Sequence, residues 1–597
     1  MASTVLLYLD IWMQDRLCIP AVSEQFLQMI SSMRALSRQK LVCDLPAIAR
    51  RSRNPQKVLH STTSTCPVTG TSSSKKSSPQ ANGEHGRYED IPGPKIYPFV
   101  GSLQDFSNNG ATMLETSQVY YKKYGMISRQ NISGEEILIF DPREHLKGTF
   151  PRPPQFETDL PHDLIAATTI NLDFFIVFRA EGKFPAGMVS DFWPFQTYSK
   201  THDVSKMISD GELWKDIRVK LQPGILSPQT AASYLPSLIE VGQQASSTFA
   251  ATGDSPFDFT SRVAFDMFTA SMLGKSRGML FPETASKADL KFIDDSILCM
   301  RTAGDLSYSP YEGLAKDYFK TKMYNTFERA TDDVYRRANE LVAETMEDDL
   351  KKEKEASRST GTGSGSGSDT ENGGSYLSRL LLSGALSRKE AGAEVVGLLL
   401  AAVDTTANYM NWMILNLARY PDKQEALAQE LKAVLQGGEF NKEVQLPYLQ
   451  AFYRETHRMT PVSSNVYRTL TEDIVLEGFL IPAGTKLTMN TDAIQRDPKI
   501  VENADMFLPE RWLASAVEAR KDTVSEIMDH RLLSSPFSFG PRMCLGARLA
   551  ELEIKVLICR IVQDWEISIP SDAPPVGVKE YLFLSPYPQP KFVIKKR

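Results

Sequence analysis

The sequence has little of what would make a disulfide scaffold, a membrane span or a nucleic-acid binder. Its 597 residues hold six cysteines, at 18, 43, 66, 299, 544 and 559, with no Cys-x-x-Cys pair. A disulfide framework is therefore not expected, a reduced interior compartment is, and any cysteine with chemistry must carry it alone. There is no run of about 18 apolar residues. The most apolar N-terminal stretch, Val5 to Met13, is broken by Asp10, so no ordinary transmembrane helix is expected. Charge of one sign is also scarce: 67 Lys and Arg against 73 Asp and Glu leave a net charge of −6, which removes the electrostatic case for a nucleic-acid partner. The seven histidines form no His-Glu-x-x-His, which disfavours a metal hydrolase. No Gly-x-Gly-x-x-Gly opens a βαβ unit, so the chain carries no flavin or nicotinamide domain of its own. No internal repeat is found.

What remains is the composition of a globular protein, 42% apolar and 23% charged with 35 Gly and 35 Pro, long enough for a sizeable core. It divides into a tail and a body. From Ser31 to Gly83 nine basic residues face one acid, Asp44, among many Ser and Thr. That is the composition of an organelle transit peptide, mitochondrial ahead of plastid, with a disordered basic tail as the plain alternative. Residues 1–90 are read as this tail and its linker, and 91–597 as the catalytic body. The body starts at Ile91-Pro-Gly-Pro-Lys95, where the prolines and glycine fix an extended entry. Residues 359–375, STGTGSGSGSDTENGGS, are 11 parts in 17 Gly or Ser with no apolar residue and read as a flexible loop. Residues 141–176 fit no expected element and read either as an insertion or as an error in the coding sequence.

Apolar spacing predicts helices over Ala231 to Thr252, Thr321 to Asp349 and Arg388 to Tyr420, and on to about Leu435. Strands are expected at Thr469 to Glu477, Lys486 to Asn490 and Lys591 to Lys595. The body is mainly α with a minor β-sheet subdomain. The Arg388 helix begins with Ser387-Arg-Lys-Glu390, the form of a capping box, and is stopped by Pro421. Its centre, Val395 to Val403, is apolar on every side and expected to be buried.

The chemistry concentrates near the C-terminus. In Phe537-Ser-Phe-Gly540-Pro-Arg542-Met-Cys544-Leu-Gly546 a lone cysteine stands between two glycines, just ahead of a helical run from Ala547 to Gln563. There amide donors and the macrodipole favour thiolate over thiol. The glycines admit something flat and large, and Arg542 offers a cation. These are the needs of a cysteine that ligates haem iron; the alternative is a buried cysteine beside a glycine turn. In the centre of the long helix, Asp404-Thr405-Thr406 places polar groups in an apolar run. Either the threonines bond back to the preceding turn and Asp404 meets an arginine, or an acid and an alcohol deliver protons.

The run Phe-x-x-Gly-x-Arg-x-Cys-x-Gly resembles the haem-binding loop of the cytochrome P-450 family, and the resemblance extends over roughly residues 91 to 595. It implies the cytochrome P-450 fold and haem b held by the Cys544 thiolate, with Arg542 as a propionate partner and Phe537 near the sulfur. Trp214-Lys-Asp-Ile-Arg218 is similar to the family's Trp-x-x-x-Arg pair at a propionate, and Arg468 to a further propionate arginine. Asp404 and Thr405 match the oxygen-activation pair, although Ala402 stands where a glycine is common. Glu455-Thr-His-Arg458 and Arg511 of Pro509-Glu-Arg-Trp512 resemble a buried structural triad. The class most similar is the mitochondrial one, inner-membrane-associated on the matrix side, fed by a ferredoxin with its NADPH-dependent reductase. Arg454 takes one of the two basic positions expected to dock that ferredoxin, and Gln450 stands at the other. The implied activity is insertion of one atom of O2 into a lipophilic substrate: a sterol, secosteroid, terpenoid or fatty acid. Leu398 to Ala402, Val462 to Val466 and Leu582 to Leu584 are expected to line its pocket, and peripheral membrane association is compatible with this class. A haem-thiolate isomerase or lyase of hydroperoxides and a non-catalytic haem sensor are the alternatives.

Overall fold

The structure is a computed structural model that describes residues 85–97, 101–102, 113–132, 135–140, 192–252, 256–281, 283–316, 318–359, 375–441, 443–463, 466–489, 491–538, 540–580 and 582–597. Residues 1–84, expected as a basic tail, residues 141–176, expected as an insertion, and residues 360–374 of the expected flexible loop lie outside them.

The helices are α1 (Met113–Tyr124), α2 (Trp193–Ser199), α3 (Gly211–Leu221), α4 (Leu235–Phe249), α5 (Pro256–Met272), α6 (Lys287–Tyr308), α7 (Lys322–Ser359), α8 (Arg388–Arg419), α9 (Pro421–Leu435), α10 (Pro447–Met459) and α11 (Ala547–Asp564), with shorter turns between them. Strands β1 (Ile127–Ile132), β2 (Glu135–Phe140), β3 (Val466–Thr469) and β6 (Lys486–Met489) form one sheet in the order β1-β2-β6-β3. The pair β2–β6 is parallel, with Ile139 opposite Thr488, and the other pairs are antiparallel. Three two-stranded sheets complete the minor β part: β4 (Ile474–Leu476) with β5 (Phe479–Ile481), β7 (Trp565–Ser568) with β10 (Val593–Lys596), and β8 (Gly577–Glu580) with β9 (Leu584–Tyr587). The mainly helical architecture with a minor sheet part is thus present.

Helix α8 organises the body. The capping box forms: Ser387 Oγ accepts the Glu390 N–H at 3.3 Å and Glu390 Oε2 accepts the Ser387 N–H at 3.1 Å. The helix then runs to Arg419, with Tyr420 as its C-cap and Pro421 opening α9. At 1.5 Å per residue it is about 48 Å long, and it packs against α5, α6, α7 and α11. A second tie holds the chain before α3 to its first half. Buried Glu394 accepts Ser205 Oγ at 2.6 Å and the Lys206 N–H at 2.9 Å. This approach needs Gly397, since a Cβ there would lie 2.3 Å from Ser205 Cβ.

Three expectations are corrected. The strand expected over Thr469 to Glu477 is the end of β3, a bend, and β4: Asp473 leaves the ladder, and its carboxylate accepts the Ala483 N–H at 2.7 Å. The centre of α8 is not buried all round; Ala401 is exposed and Gly397, Leu398, Ala402 and Thr405 are half-buried. Those five positions repeat at three- and four-residue spacing and so make one stripe along the helix, with the opposite faces packed on α5 and α11. Finally, both ends of the Gly/Ser segment are structured: Ser359 ends α7, and Ser375 caps the turn Tyr376–Leu382 by accepting the Ser378 N–H at 3.1 Å.

Candidate active site

The cysteine loop is closed by its own backbone. The Cys544 N–H donates to the Phe537 carbonyl at 2.9 Å and the Met543 N–H to the Gly540 carbonyl at 3.0 Å. Ser538 and Gly540 turn the chain with φ of 63° and 79°, the left-handed region that glycine enters without steric cost. Phe537 itself is half-buried against the main core. Cys544 keeps accessible surface although protein encloses it, as a side chain facing an interior cleft does. Burial pushes the thiol above its ordinary value, while the Gly546 N–H and the Arg218 charge pull it back only in part.

Helix α3 supplies an indole and a guanidinium near this loop. Trp214 and Arg218 are one turn apart and both buried. Arg542 crosses from the cysteine loop to lie over the Trp214 ring at 4.0 Å, and its Nη2 donates to the Ser209 carbonyl and to Asp210 Oδ1, both at 2.9 Å. Arg218 is 6% exposed, and its Nε has no hydrogen-bond partner. A buried guanidinium without an acceptor is costly, so the site as folded requires an anion beside Cys544. Arg468 is buried on β3, with Nη1 donating to the Tyr467 carbonyl at 2.7 Å.

On α8 the two residues of the polar pair face different ways. Thr405 is half-buried in the accessible stripe, and its hydroxyl donates to the Ala401 carbonyl at 2.8 Å. Asp404 is buried; its Oδ1 accepts Asn408 Nδ2 at 3.2 Å, and burial pushes its carboxyl up to about 7 against the pull of Arg301. The back-bond and the neighbouring arginine are both there, on an acid held near neutral pH.

Glu455 is wholly buried and has four partners. Arg458 grips it with Nε at 3.0 Å and Nη2 at 2.8 Å, and Arg511 Nε reaches it at 3.1 Å. The Leu508 N–H and Trp512 Nε1 donate to it at 2.8 Å each. Trp512 was not among the residues singled out from the sequence; an indole where the family pattern has phenylalanine was the available signal. Arg454, on the same helix, is half-buried with its guanidinium 5.9 Å above the Trp512 ring. The pocket-lining expectation is trimmed. Leu399 and Leu400 are buried, on the face of α8 away from the accessible stripe, while Leu398 and Ala402 lie in that stripe.

One further buried acid escaped the sequence. Glu553 on α11 has an unpartnered Oε1, and burial pushes its carboxyl up to about 8. An acid whose pKa is higher folded than unfolded costs stability as pH rises from the unfolded value, about 4.5, through about 8. Glu553→Gln is expected to match the parent at pH 4 and to be more stable by roughly 1–3 kcal/mol at pH 9. Denaturant titration at the two pH values checks this, and parallel curves would refute it.

A cysteine in a glycine turn, aromatic and cationic neighbours needing an anion, and an accessible stripe on the central helix define a haem-thiolate site. Residues 166–593 match the family model Cytochrome P450, and the chain belongs to the cytochrome P450 family. It is 26% identical over 520 residues to the mitochondrial 1,25-dihydroxyvitamin D(3) 24-hydroxylase of Mus musculus, covering 85% of this chain and 88% of that protein. It is also 26% identical over 411 residues to the mitochondrial cholesterol side-chain cleavage enzyme of Oncorhynchus mykiss, covering 66% of this chain and 73% of that protein. With the human mitochondrial sterol 26-hydroxylase it shares 27% over 415 residues, covering 67% of this chain and 73% of that protein. The protein is a cytochrome P450 monooxygenase with a thiolate-ligated haem and needs a redox partner. The residues present fit that group: Cys544 offers the sulfur and Arg218 the cation that lacks an anion.

Proposed function

We propose that this chain hydroxylates a sterol or secosteroid in the mitochondrion, with electrons from a ferredoxin. The observation that carries the reading is the stripe Gly397, Leu398, Ala401, Ala402 and Thr405, apolar but for its last member, with Asp404 buried beside it. An apolar cleft wall ending in a hydroxyl and an acid of pKa about 7 suits a hydrocarbon substrate and a proton-dependent step. The names of the relatives above support the substrate class and the compartment.

The haem, when bound, supplies dioxygen activation. Cys544 would hold it through its sulfur, and Arg218, Trp214, Arg542 and Arg468 would hold its propionates. Thr405 accepts and passes a proton at Oγ1 by leaving its bond to Ala401, and Asp404 resupplies it. Phe537 shields the sulfur. Glu455, Arg458 and Arg511 keep α10 in place. Arg454 meets the acidic ferredoxin. Tyr318, 77% exposed, and Phe319 stand together beside Lys316, Lys320 and Lys322, a patch suited to an anionic membrane surface.

Incubation of the holoprotein with a [2Fe–2S] ferredoxin, its reductase and NADPH, with cholesterol and 1,25-dihydroxyvitamin D3 as probes, should yield a product heavier by one oxygen atom. No product and no spectral shift with either probe would overturn the substrate class. Asp404→Asn is expected to slow product formation by about 10²-fold and to abolish the fall in rate above pH 7 that comes from loss of the acid's proton. An unchanged pH profile would remove Asp404 from the role. Gln450→Lys is expected to lower the KM for ferredoxin and Arg454→Glu to raise it, both effects fading at high salt.

A further inference from the structure

The acid on α8 does not stand alone. One turn after it, Asn408 Nδ2 donates to Asp404 O at 3.0 Å and to Asp404 Oδ1 at 3.2 Å. The other end of that amide is also taken: Ser585 Oγ donates to Asn408 Oδ1 at 2.7 Å. All three residues are buried. An amide has one donor end and one acceptor end: the two Asp404 oxygens take the donor end, and the Ser585 hydroxyl anchors the acceptor end. Turned the other way, Asn408 would set its oxygen against two acceptors.

Ser585 belongs to β9, and its neighbours are pocket residues. Leu582 and Phe583 precede it in the segment expected to line the cleft. The Leu584 N–H donates to the Val462 carbonyl at 2.9 Å, and Trp412 Nε1 of α8 donates to the Leu584 carbonyl at 3.0 Å. A ligand pressing on Leu582, Phe583 or Val462 therefore presses on the strand whose next residue holds Asn408. Among the described residues, the charged or titratable groups facing Asp404 come from α6: Arg301, whose charge favours the carboxylate, and the Cys299 thiol, pushed up to about 12 chiefly by burial.

We propose that Ser585 is a positioning residue: its hydroxyl locks Asn408 so that Asn408 holds the Asp404 carboxylate, which ties proton supply to the strand that the substrate packs against. The proposal rests on the reading of Asp404 and Thr405 as the proton-delivering pair. Loss of the hydroxyl frees the amide to rotate, Asp404 loses its donor, and its proton is held more tightly. Dioxygen reduction then goes out of step with proton supply, and electrons leave as hydrogen peroxide.

The test uses the ferric holoprotein and two readouts that need no known substrate. The first is an infrared pH titration of the Asp404 carboxyl, identified as the band lost in Asp404→Asn. The second is hydrogen peroxide released per NADPH consumed with a [2Fe–2S] ferredoxin and its reductase. Ser585→Ala is expected to raise the titration midpoint by about half a unit or more, a threefold or greater change in proton affinity, and to raise peroxide per NADPH about twofold. Ser585→Thr, which keeps the hydroxyl, should restore both. If alanine disturbs folding, Ser585→Thr against Ser585→Val compares equal shapes with and without the hydroxyl. A midpoint and peroxide yield equal to the parent's in the hydroxyl-free variant, with Asp404→Asn still altering peroxide, would overturn the role of Ser585 and leave the proton-donor reading standing. An Asp404→Asn variant with the parent's peroxide yield would overturn both.

Discussion

Cys544→Ala is expected to abolish the long-wavelength carbon-monoxide band of the reduced protein and to strip most of its haem, while Cys299→Ala and Cys559→Ala keep both. Among the described cysteines Cys544 alone retains accessible surface. Cys299 is enclosed, with its sulfur 3.1 Å from Thr331 Oγ1, and burial pushes the Cys559 thiol well above its ordinary value. A buried thiol of that kind is inert as a ligand. Cys544 instead has the Gly546 N–H and the Arg218 charge to support an anionic sulfur. Replacement with alanine also leaves Arg218 without the cofactor's anion near it, so haem retention falls along with the spectrum. The reduced-minus-reduced-plus-CO difference spectrum and a haem stoichiometry check the result. A surviving thiolate band in Cys544→Ala would move the ligand elsewhere and undo the site.

The second large effect is structural. Arg458→Ala is expected to cost about 3–5 kcal/mol, a large part of the roughly 5–15 kcal/mol that separates folded from unfolded protein. Both partners of the pair have no solvent exposure. Removing Arg458 leaves Glu455 with Arg511 alone as counter-charge, and it also orphans the carbonyls of Gln495 and Ala504, which Arg458 Nη1 serves at 3.0 and 2.8 Å. Arg458→Lys is expected to rescue little, because an ammonium cannot copy the two-point grip on Glu455 while serving those carbonyls. Thermal unfolding followed by circular dichroism, with haem content read in parallel, checks both variants. A lysine variant as stable as the parent would show that charge alone suffices. Loss of haem with the fold intact would place the residue in cofactor binding instead.

Much of this was legible along the chain. The Ser387-to-Glu390 box and Pro421 marked both ends of α8, because capping and proline act within one turn and need no tertiary partner. The cysteine loop was legible for the same reason, its turn being set by residues 537 to 546. The strand at Thr469 to Glu477 was not, since alternation of side chains cannot announce the bend that lets Asp473 reach Ala483. Nor was the accessible stripe on α8: an all-apolar helix reads as buried, and only its neighbours decide which face stays open.

By itself, then, the sequence determined the family, the cysteine loop, the span of the long helix and the Glu455–Arg458 pair, all features written in local spacing. The tertiary structure alone decided that Arg218 lies buried with an unpartnered nitrogen, that Trp512 joins Glu455 across 57 positions, and that Ser585 reaches Asn408 across 177. Such contacts depend on how helices and strands far apart in sequence are packed, and desolvation, which places Asp404 near 7, exists only once that packing has excluded water.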